Sequence, residues 1–191
     1  MRRIVLATTS RPRKEIFGHL DIPFETASSD VDESPYERSD PAELVAVLSK
    51  LKAESVAKDH PDAIVIGMDS VAYFNGSILE KPKSKEEDFR RLKSLSGNRH
   101  QFYTGVHVIN TSSGKTLSEV VMTDVLMRNF SDKEINEYLD NDPLFNTYAL
   151  GYDPIRHISA TFVKSIEGSY YNLLGGIPVE TIIEMLTEID R

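Results

Sequence analysis

The chain has 191 residues and no cysteine, and its 22 basic residues stand against 30 acidic ones, for a net charge of −8. The missing cysteines exclude disulfides, thiolate catalysis and cysteine-ligated zinc, and they fit a reducing cytoplasm. The acidic balance argues against nucleic-acid polymers as partners, since the sequence offers no extended basic face. No apolar run approaches the roughly 18 residues that a membrane span needs, and no signal-peptide pattern follows the start. We therefore expect a cytoplasmic protein with no membrane partner.

Hydrophobic periodicity predicts strands and helices that alternate along the chain. In chain order they are a strand over 3–9 ("RIVLATT"), a helix over 13–20, an extended segment over 22–34, a helix over 40–62, a strand over 63–74 ("AIVIGMDSVAYF"), a helix over 84–95, strands over 101–110 and 115–130, a helix over 131–140, a strand over 158–166 and a helix over 178–189. Asp40, Ser84 and Ser131 are placed to cap three of these helices. The alternation predicts an α/β fold with a mixed sheet.

The stretch "LATTSRPRKE" (6–15) places Arg11, Arg13 and Lys14 where the first strand turns into the first helix. A helix start already carries partial positive charge, so cations are electrostatically unfavourable there. A bound anion would reverse that cost, because the free backbone N–H groups of a helix start bind phosphate. A solvated helix start remains the alternative.

Two residues interrupt the apolar patterns. Lys52 falls inside the apolar arc of its helix, between Val45 and Leu48. It either extends past the core to solvent or enters a cleft and meets an anion. Asp69 follows the apolar run "AIVIGM", where an unpaired carboxylate is costly, so it needs a metal, a cation or hydrogen bonds, unless it caps a turn.

The pair Asn75-Gly76 is a strong β-hairpin signal. A two-residue turn pairs Phe74 with Ser77 and brings Lys81 within one residue of Asp69, although side-chain alternation turns Lys81 to the opposite face. Carboxylates and cations around an anion-binding helix start suggest metal-assisted phosphoryl or nucleotidyl chemistry.

Other common sites find little support. The five histidines are scattered, with no pair at metal-ligand spacing, which favours structural or surface roles. No Walker-type G-x-x-x-x-G-K-[ST] and no dinucleotide G-x-G-x-x-G occurs. The two familiar nucleotide-binding folds are therefore unsupported.

Six ordered motifs resemble the Maf family of nucleoside triphosphate pyrophosphatases: "LATTSRPRKEIF", "DVDES", "IGMDSV", "ILEKP", "LKSLSGNRHQFYTGV" and "IEGSYYNLLGGIP". The resemblance covers nearly the whole chain. It implies a Maf/inosine-triphosphatase-like α/β fold, in which an elongated mixed sheet flanked by helices has a central nucleotide cleft, with one domain over 1–191 made of two lobes. It also implies a cytoplasmic homodimer that uses a divalent cation (Mg²⁺, Mn²⁺ or Co²⁺).

The resemblance also implies roles for particular residues. Asp69 matches the catalytic carboxylate, Glu33 matches the motif carboxylate that would hold metal with Asp69, and Lys52 and Lys81 match catalytic basic residues. The expected substrate-binding residues are Thr8, Ser10, Arg11, Arg13, Ser70 and Asp153. Asp30 and Asp32 are expected to make loop hydrogen bonds, with either able to replace Glu33 as ligand.

The sequence departs from the family pattern in several places. "Ser10-Arg11-Pro12-Arg13" replaces Ser-Pro-Arg-Arg, which predicts a helix that starts about one residue later, with Arg11 near the cap. Ser70 replaces a threonine or glutamine, Asn146 and Asp153 replace a lysine and a glutamine, and "NLLGGIP" has one additional glycine. The hydroxyl of Ser70 resembles the branch of the family that prefers dTTP and UTP.

We therefore expect a pyrophosphatase that converts a nucleoside triphosphate to the monophosphate and pyrophosphate, with dTTP and UTP preferred. Two alternatives stay open. One is a pyrophosphatase that removes modified purine nucleotides, and the other is a non-catalytic, nucleotide-binding regulator of cell division.

Overall fold

The computed structural model describes residues 2–189. Within this part of the chain the strands are β1 (Arg3–Ala7), β2 (Glu25–Ala27), β3 (Ala63–Phe74), β4 (Ser77–Leu79), β5 (Arg99–Asn110), β6 (Thr116–Met127) and β7 (Val163–Glu167). The α-helices are α1 (Arg11–Gly18), α2 (Pro41–Ala57), α3 (Lys85–Leu95), α4 (Asp132–Asn141), α5 (Tyr170–Gly175) and α6 (Val179–Ile189), and 3₁₀ turns cover Phe145–Thr147 and Ile158–Thr161. No helix in the described chain is both long and apolar enough to cross a membrane.

The seven strands form one sheet, in the order β2-β1-β3-β5-β6-β7, with β4 beside β3. Strand β1 runs parallel to β2 and to β3. Strand β3 runs antiparallel to β4, and β6 runs antiparallel to β7. The predicted α/β fold with a mixed sheet is confirmed.

The chain divides into two compact units. The first contains the residues up to Ser70, then Tyr103–Met122, then the residues from Ser169 onward. The second contains Val71–Phe102 and Thr123–Gly168.

The core of the first unit covers both faces of its strands. Successive side chains of a strand point to opposite faces, so both faces need cover when helices lie on each. Even-numbered residues of β1 and β3, such as Leu6 and Ile66, pack with buried residues of α1 and α6. Odd-numbered residues, such as Val5 and Val65, pack with Ala53 and Val56 of α2. This division decides where each polar residue at the end of β3 points.

Helix α2 approaches the sheet very closely at two glycines of the strands, Gly67 in β3 and Gly105 in β5. A Cβ at Gly67 would lie 2.2 Å from the Ser49 carbonyl oxygen, and one at Gly105 would lie 2.1 Å from the Val45 carbonyl oxygen. Neither distance is possible for a real side chain, so only glycine fits at these positions. The missing Cβ atoms let the backbone of α2 lie directly on the strands.

Local signals predicted most element boundaries. Strand β3 covers the predicted range 63–74, and the hairpin pairs Phe74 with Ser77 as predicted. Asp40 caps α2 and Ser84 caps α3 through hydrogen bonds from backbone N–H groups. Ser131 forms a complete capping box with Glu134 at the start of α4.

Several predicted boundaries were wrong in detail, among them the end of the helix over 40–62, which stops at Ala57, and the end of the strand over 115–130, which stops at Met127. Helix α1 begins at Arg11, with Ser10 as N-cap, and not one residue later, because Pro12 falls in the first turn, where its missing N–H is not needed. The predicted strand over 158–166 begins only at Val163, after a 3₁₀ turn. The extended segment over 22–34 pairs only at Glu25–Ala27.

Candidate active site

The last residues of β3 in the first unit carry the two polar groups around which the candidate site is built. Asp69 is odd-numbered and points to the α2 face, whereas Ser70 is even-numbered and points to the α1 face. Asp69 is buried and Ser70 is half-buried. Two separate polar clusters follow from this alternation.

The first cluster joins Lys52 to two carboxylates. The Lys52 Nζ lies 2.5 Å from the Asp69 Oδ1 and 2.7 Å from the Glu33 Oε1. The exposed fractions of the side chains are 15% for Lys52, 11% for Asp69 and 39% for Glu33. These groups come from α2, from β3 and from the loop before α2, so the tertiary fold alone brings them together.

The contacts of Lys52 decide between its two predicted environments. Because α2 lies against β3 at Gly67, the lysine has a short path to Asp69 at the end of that strand. Its ammonium group binds carboxylates and does not extend past the core into solvent. Of the two predicted environments, contact with an anion describes the position of Lys52, and extension past the core to solvent does not.

The second cluster is organised by Arg13 of α1. Its guanidinium donates from Nη1 to the Met68 carbonyl at 2.9 Å, from Nη2 to the Ser70 hydroxyl at 2.7 Å, and from Nε to the Gly176 carbonyl at 3.0 Å. The Ser70 hydroxyl also lies 2.7 Å from the Thr104 hydroxyl. Arg13 therefore ties α1, the end of β3 and the segment after α5 together.

Arg13 and Lys52 balance the two carboxylates, so these four charges sum to zero. Burial lowers the pKa of Arg13, while the negative charges of Asp69 and Glu33 act in the opposite direction. The guanidinium keeps its positive charge because its ordinary pKa is far above neutrality. A triphosphate that entered this region would meet two cations already held in place by the fold.

The remaining predicted residues of the first strand–helix turn lie near this cluster in sequence but have their own contacts. Thr8 is buried, and its hydroxyl accepts a hydrogen bond from the Ser10 N–H at 3.1 Å. Ser10 is the N-cap residue of α1, although its side chain makes no capping hydrogen bond. Arg11 is exposed and pairs with Glu15 at 2.7 Å on the surface of the helix.

Lys81 and Asp153 belong to the second unit. Lys81 is exposed, just after β4. Asp153 is buried, and its Oδ1 accepts hydrogen bonds from the N–H groups of Ile155 at 2.7 Å and Arg156 at 3.1 Å. Its carboxylate therefore stabilises the turn that follows it.

Metal ligands were expected at Glu33 and Asp69. In the described residues 2–189 no group of three or more His, Asp or Glu side chains has the arrangement of a complete metal site. The two carboxylates nevertheless lie close enough together that the Lys52 Nζ contacts one oxygen of each, Asp69 Oδ1 and Glu33 Oε1. Mg²⁺ is usually held by one or two carboxylates together with substrate phosphates, so this donor set fits a hard divalent cation. Asp32, which with Asp30 was an alternative to Glu33 as ligand, accepts a hydrogen bond from the Ser34 N–H, as expected of a loop residue.

Three members of the Arg13 cluster were not predicted as site residues from the sequence: Thr104 and the backbone carbonyls of Met68 and Gly176. Thr104 is fully buried within the core strand β5, and a polar residue inside the motif "FYTGV" is the signal that could have identified it. Gly176 contributes a backbone carbonyl, and the doubled glycine of "NLLGGIP" marks the place. Backbone groups of this kind leave only weak traces in a sequence.

Comparison with known proteins identifies the family. The family described as "Maf-like protein" matches residues 3–189. This chain belongs to that family. The predicted resemblance to Maf proteins is confirmed, and it extends over nearly the whole chain.

Curated relatives of this Maf-like chain carry named activities. A dTTP/UTP pyrophosphatase of Alkaliphilus metalliredigens is 41% identical over 97% of this chain and 95% of its own. A dTTP/UTP pyrophosphatase of Clostridium novyi is 37% identical over 98% and 97% of the two chains. A 7-methyl-GTP pyrophosphatase of Chromohalobacter salexigens is 34% identical over 98% and 96%.

A solved structure supports the fold of the Maf-like chain. The Ham1 protein of Staphylococcus aureus superposes with a TM-score of 0.56 at 19% identity, over 99% of this chain and all of that one. At this identity the likeness concerns the fold alone. The expected Maf/inosine-triphosphatase-like architecture agrees with it.

Proposed function

We propose that this protein is a nucleoside triphosphate pyrophosphatase that converts dTTP and UTP to the monophosphates and pyrophosphate. The observation that carries the proposal is Lys52 held between Asp69 and Glu33 at the end of β3. This arrangement joins a buried carboxylate, a second carboxylate and a fixed cation, which are the groups that hydrolysis of a phosphoanhydride requires. The names of relatives at 41% and 37% identity support both the reaction and the pyrimidine preference.

In the proposed reaction water attacks the α-phosphorus, a bond forms from the water oxygen to that phosphorus, and the bond to the bridging oxygen of the β-phosphate breaks. Asp69 accepts the proton of the attacking water or orients it. Lys52 and Arg13 offset the roughly three to four negative charges of the triphosphate, and we assign Lys81 the same role. Pyrophosphate leaves with the pair of electrons from the broken bond.

Glu33 and Asp69 would hold the divalent cation, which we propose to be Mg²⁺, Mn²⁺ or Co²⁺. When bound, this ion would polarise the phosphoryl oxygens and neutralise charge as the anhydride breaks. The ammonium group of Lys52 contacts both carboxylates and fixes their orientation. Lys52 thus keeps two like charges close together in the free protein.

The substrate-binding residues remain part of the proposal. Thr8, Ser10, Arg11 and Arg13 surround the start of α1, whose free N–H groups suit phosphate. Ser70 already contacts Arg13 and Thr104, so a direct hydrogen bond from its hydroxyl to a base would require one of these contacts to break. Its main contribution is to hold the guanidinium of Arg13 in place.

The test is release of pyrophosphate from a panel of triphosphates that includes dTTP, UTP, the purine nucleotides and 7-methyl-GTP, each with magnesium, manganese and cobalt. We expect the highest kcat/KM for dTTP and UTP. Asp69→Asn should lower kcat by about 10²–10⁴-fold, since a positioned base contributes that much. The matched control Asp59→Asn changes an exposed carboxylate just beyond α2 and should leave kcat unchanged.

Three results would contradict the proposal in different ways. Release of orthophosphate in place of pyrophosphate would refute the reaction. Selective turnover of 7-methyl-GTP would refute the pyrimidine preference, and tight nucleotide binding without turnover for any metal would favour the non-catalytic regulator. A cytoplasmic location and a homodimer stay proposals that cell fractionation and sedimentation equilibrium would test.

A further inference from the structure

The second unit contains a buried carboxyl group that the proposed reaction does not use. Asp88 lies in the first turn of α3 and has no exposed surface. Neither of its side-chain oxygens has a hydrogen-bond partner. Burial of a carboxylate without a partner is strongly unfavourable, so this group calls for an explanation.

Asp88 packs against the backbone at Gly151. A Cβ at Gly151 would lie 2.2 Å from the Asp88 Oδ1 and 3.2 Å from the Arg91 Cδ, and the φ of this glycine is +78°. Arg91, one turn along α3, donates from Nη1 to the Ala149 carbonyl at 3.4 Å. Two neighbouring side chains of α3 therefore hold the same three residues, 149–151.

The charged and titratable groups around Asp88 come from two elements. On α3 itself, Glu87 and Arg91 face it, and they contact each other at 3.5 Å. From the end of α4 come Asp142 and Tyr138, joined by a 3.0 Å hydrogen bond from the tyrosine hydroxyl to the carboxylate. Arg91 is the one cation in this set, and it forms no ion pair with Asp88.

The segment held by Asp88 leads directly to Asp153. Residues 144–153 begin with the 3₁₀ turn at Phe145–Thr147, and the Tyr148 hydroxyl reaches the Asp153 Oδ2 at 3.5 Å. Tyr152 is fully buried and lies 3.1 Å from His100 through its hydroxyl. The position of Asp153 thus depends on how residues 149–152 are fixed against their neighbours.

We propose that Asp88 is a positioning residue whose uncharged carboxyl holds residues 144–153 against α3, and that its ionisation releases this segment and displaces Asp153. Loss of the proton to solvent leaves an anion that must be hydrated, and the contact with Gly151 must open to admit water. The docking of the segment is independent of the reaction. Its effect on substrate rests on the proposed function and on the substrate-binding role that the family resemblance implies for Asp153.

The electrostatics agree with this geometry. Burial raises the pKa of Asp88 to about 8, the negative charges of Glu87 and Asp142 act in the same direction, and only Arg91 opposes them. The carboxyl is therefore mainly protonated at neutral pH and mainly ionised above pH 9. Since an exposed carboxyl ionises at about pH 4, opening of the segment becomes progressively more favourable as pH rises from about 4 to 8, and the gain ends above pH 8, where the closed form ionises as well.

The experiment measures amide hydrogen exchange of residues 144–153 in the full-length protein between pH 6.5 and 9.5, expressed as protection factors so that intrinsic exchange cancels. We expect the protection to fall by about tenfold between pH 7 and pH 9, because opening releases a proton until the closed form itself ionises near pH 8, which gives a fall of about tenfold per unit below that pH and none well above it. Asp88→Asn cannot ionise and should show constant protection. The matched control Asp140→Asn removes an exposed carboxylate of α4 that pairs with Lys85, and it should keep the wild-type profile.

The same proteins are then assayed with dTTP over the same pH range. The KM of the wild type should rise in proportion to 1 + 1/P, where P is the protection factor of the segment, with kcat changed less, since only the closed fraction binds the nucleotide. Asp88→Asn should lack this rise. A purely structural role would lower the stability of a variant without producing a pH-dependent KM that the asparagine removes.

Several outcomes would overturn the inference. If the protection of the wild type stays constant from pH 7 to 9.5, the inference is wrong, even if Asp88→Asn fails to fold. If Asp142→Asn removes the pH dependence and Asp88→Asn retains it, the titrating group is Asp142 and not Asp88. A KM that does not follow the measured protection in this proportion would refute the effect on substrate. If no triphosphate is hydrolysed at all, the proposed function fails, while the exchange measurement still decides whether Asp88 holds the segment.

Discussion

Replacement of Lys52 by methionine separates its two possible roles. The methionine keeps most of the length of the side chain and removes its charge. In the structure the change leaves Asp69, with 11% of its side chain exposed, and Glu33 facing each other around the former position of the Nζ, which contacted them at 2.5 and 2.7 Å. Both carboxylates lose their cation at once, and like charges then repel.

The expected cost in the free energy of unfolding is about 3 kcal/mol, near the lower end of the range for removal of one partner from a buried ion pair, because Glu33 is partly hydrated. For a chain of this size that corresponds to a drop in Tm of roughly 6–12 °C. Pyrophosphate release should fall strongly as well, since the triphosphate loses a fixed cation. A lysine that extended past the core would give the opposite result, because methionine would then stabilise the protein and leave turnover unchanged.

The assay is urea denaturation at pH 7, together with pyrophosphate release from dTTP. Lys50→Met is the matched control on the same helix, because Lys50 is exposed and lies 3.9 Å from Glu54. Its loss should change the free energy of unfolding by about 0.5 kcal/mol or less. Equal stability of the two variants, or a Lys52→Met protein that is more stable than the wild type, would refute the assigned role of Lys52.

Three further predictions concern the fold. Gly105→Ala should lower the free energy of unfolding by about 3 kcal/mol or more, because its Cβ would lie 2.1 Å from the Val45 carbonyl oxygen. Gly18→Ala has open space around its Cβ and should be neutral or stabilising, and thermal denaturation compares the two variants. Ser131→Ala removes the cap of α4 and should lower the free energy of unfolding by about 1 kcal/mol in urea, and a loss near zero would show that the cap does not matter. Because the folded-state pKa of Asp88 is raised to about 8, the wild type should lose stability as pH rises from about 4 to 8 and should lose no more above that. The loss is at most about 1.4 kcal/mol per pH unit, and Asp88→Asn should lack it. Parallel pH profiles of the two proteins in urea titrations would contradict the reasoning.

The sequence alone determined the features that depend on neighbours along the chain. The run over 63–74 specified β3, because buried β-branched residues between turn signals favour a strand. Asn75-Gly76 specified the hairpin, and Ser131 with Glu134 specified the start of α4. The hairpin and the cap are realised by hydrogen bonds that span only a few residues, whereas β3 was predicted from its own residue pattern although its ladder with β1 joins distant parts of the chain.

Other element boundaries were predicted less accurately, because the tertiary structure overrode the local pattern. Arg11 joins α1 although a proline follows it, because Ser10 occupies the N-cap position one residue earlier. The segment over 158–161 has apolar and β-branched residues typical of a strand, yet it forms a 3₁₀ turn before β7. The short helix α5 had no signal strong enough to predict it.

The sequence identified Lys52 and Asp69 as residues that break an apolar pattern, but only the tertiary structure showed that each is the other's partner. The reason is physical: 17 positions separate them in the chain, and their contact exists only because α2 packs directly on β3 at Gly67. In the same way Arg13 meets the Gly176 carbonyl 163 positions away. A sequence shows which polar groups need a partner, whereas the packing of helices on a sheet decides which partner each one receives.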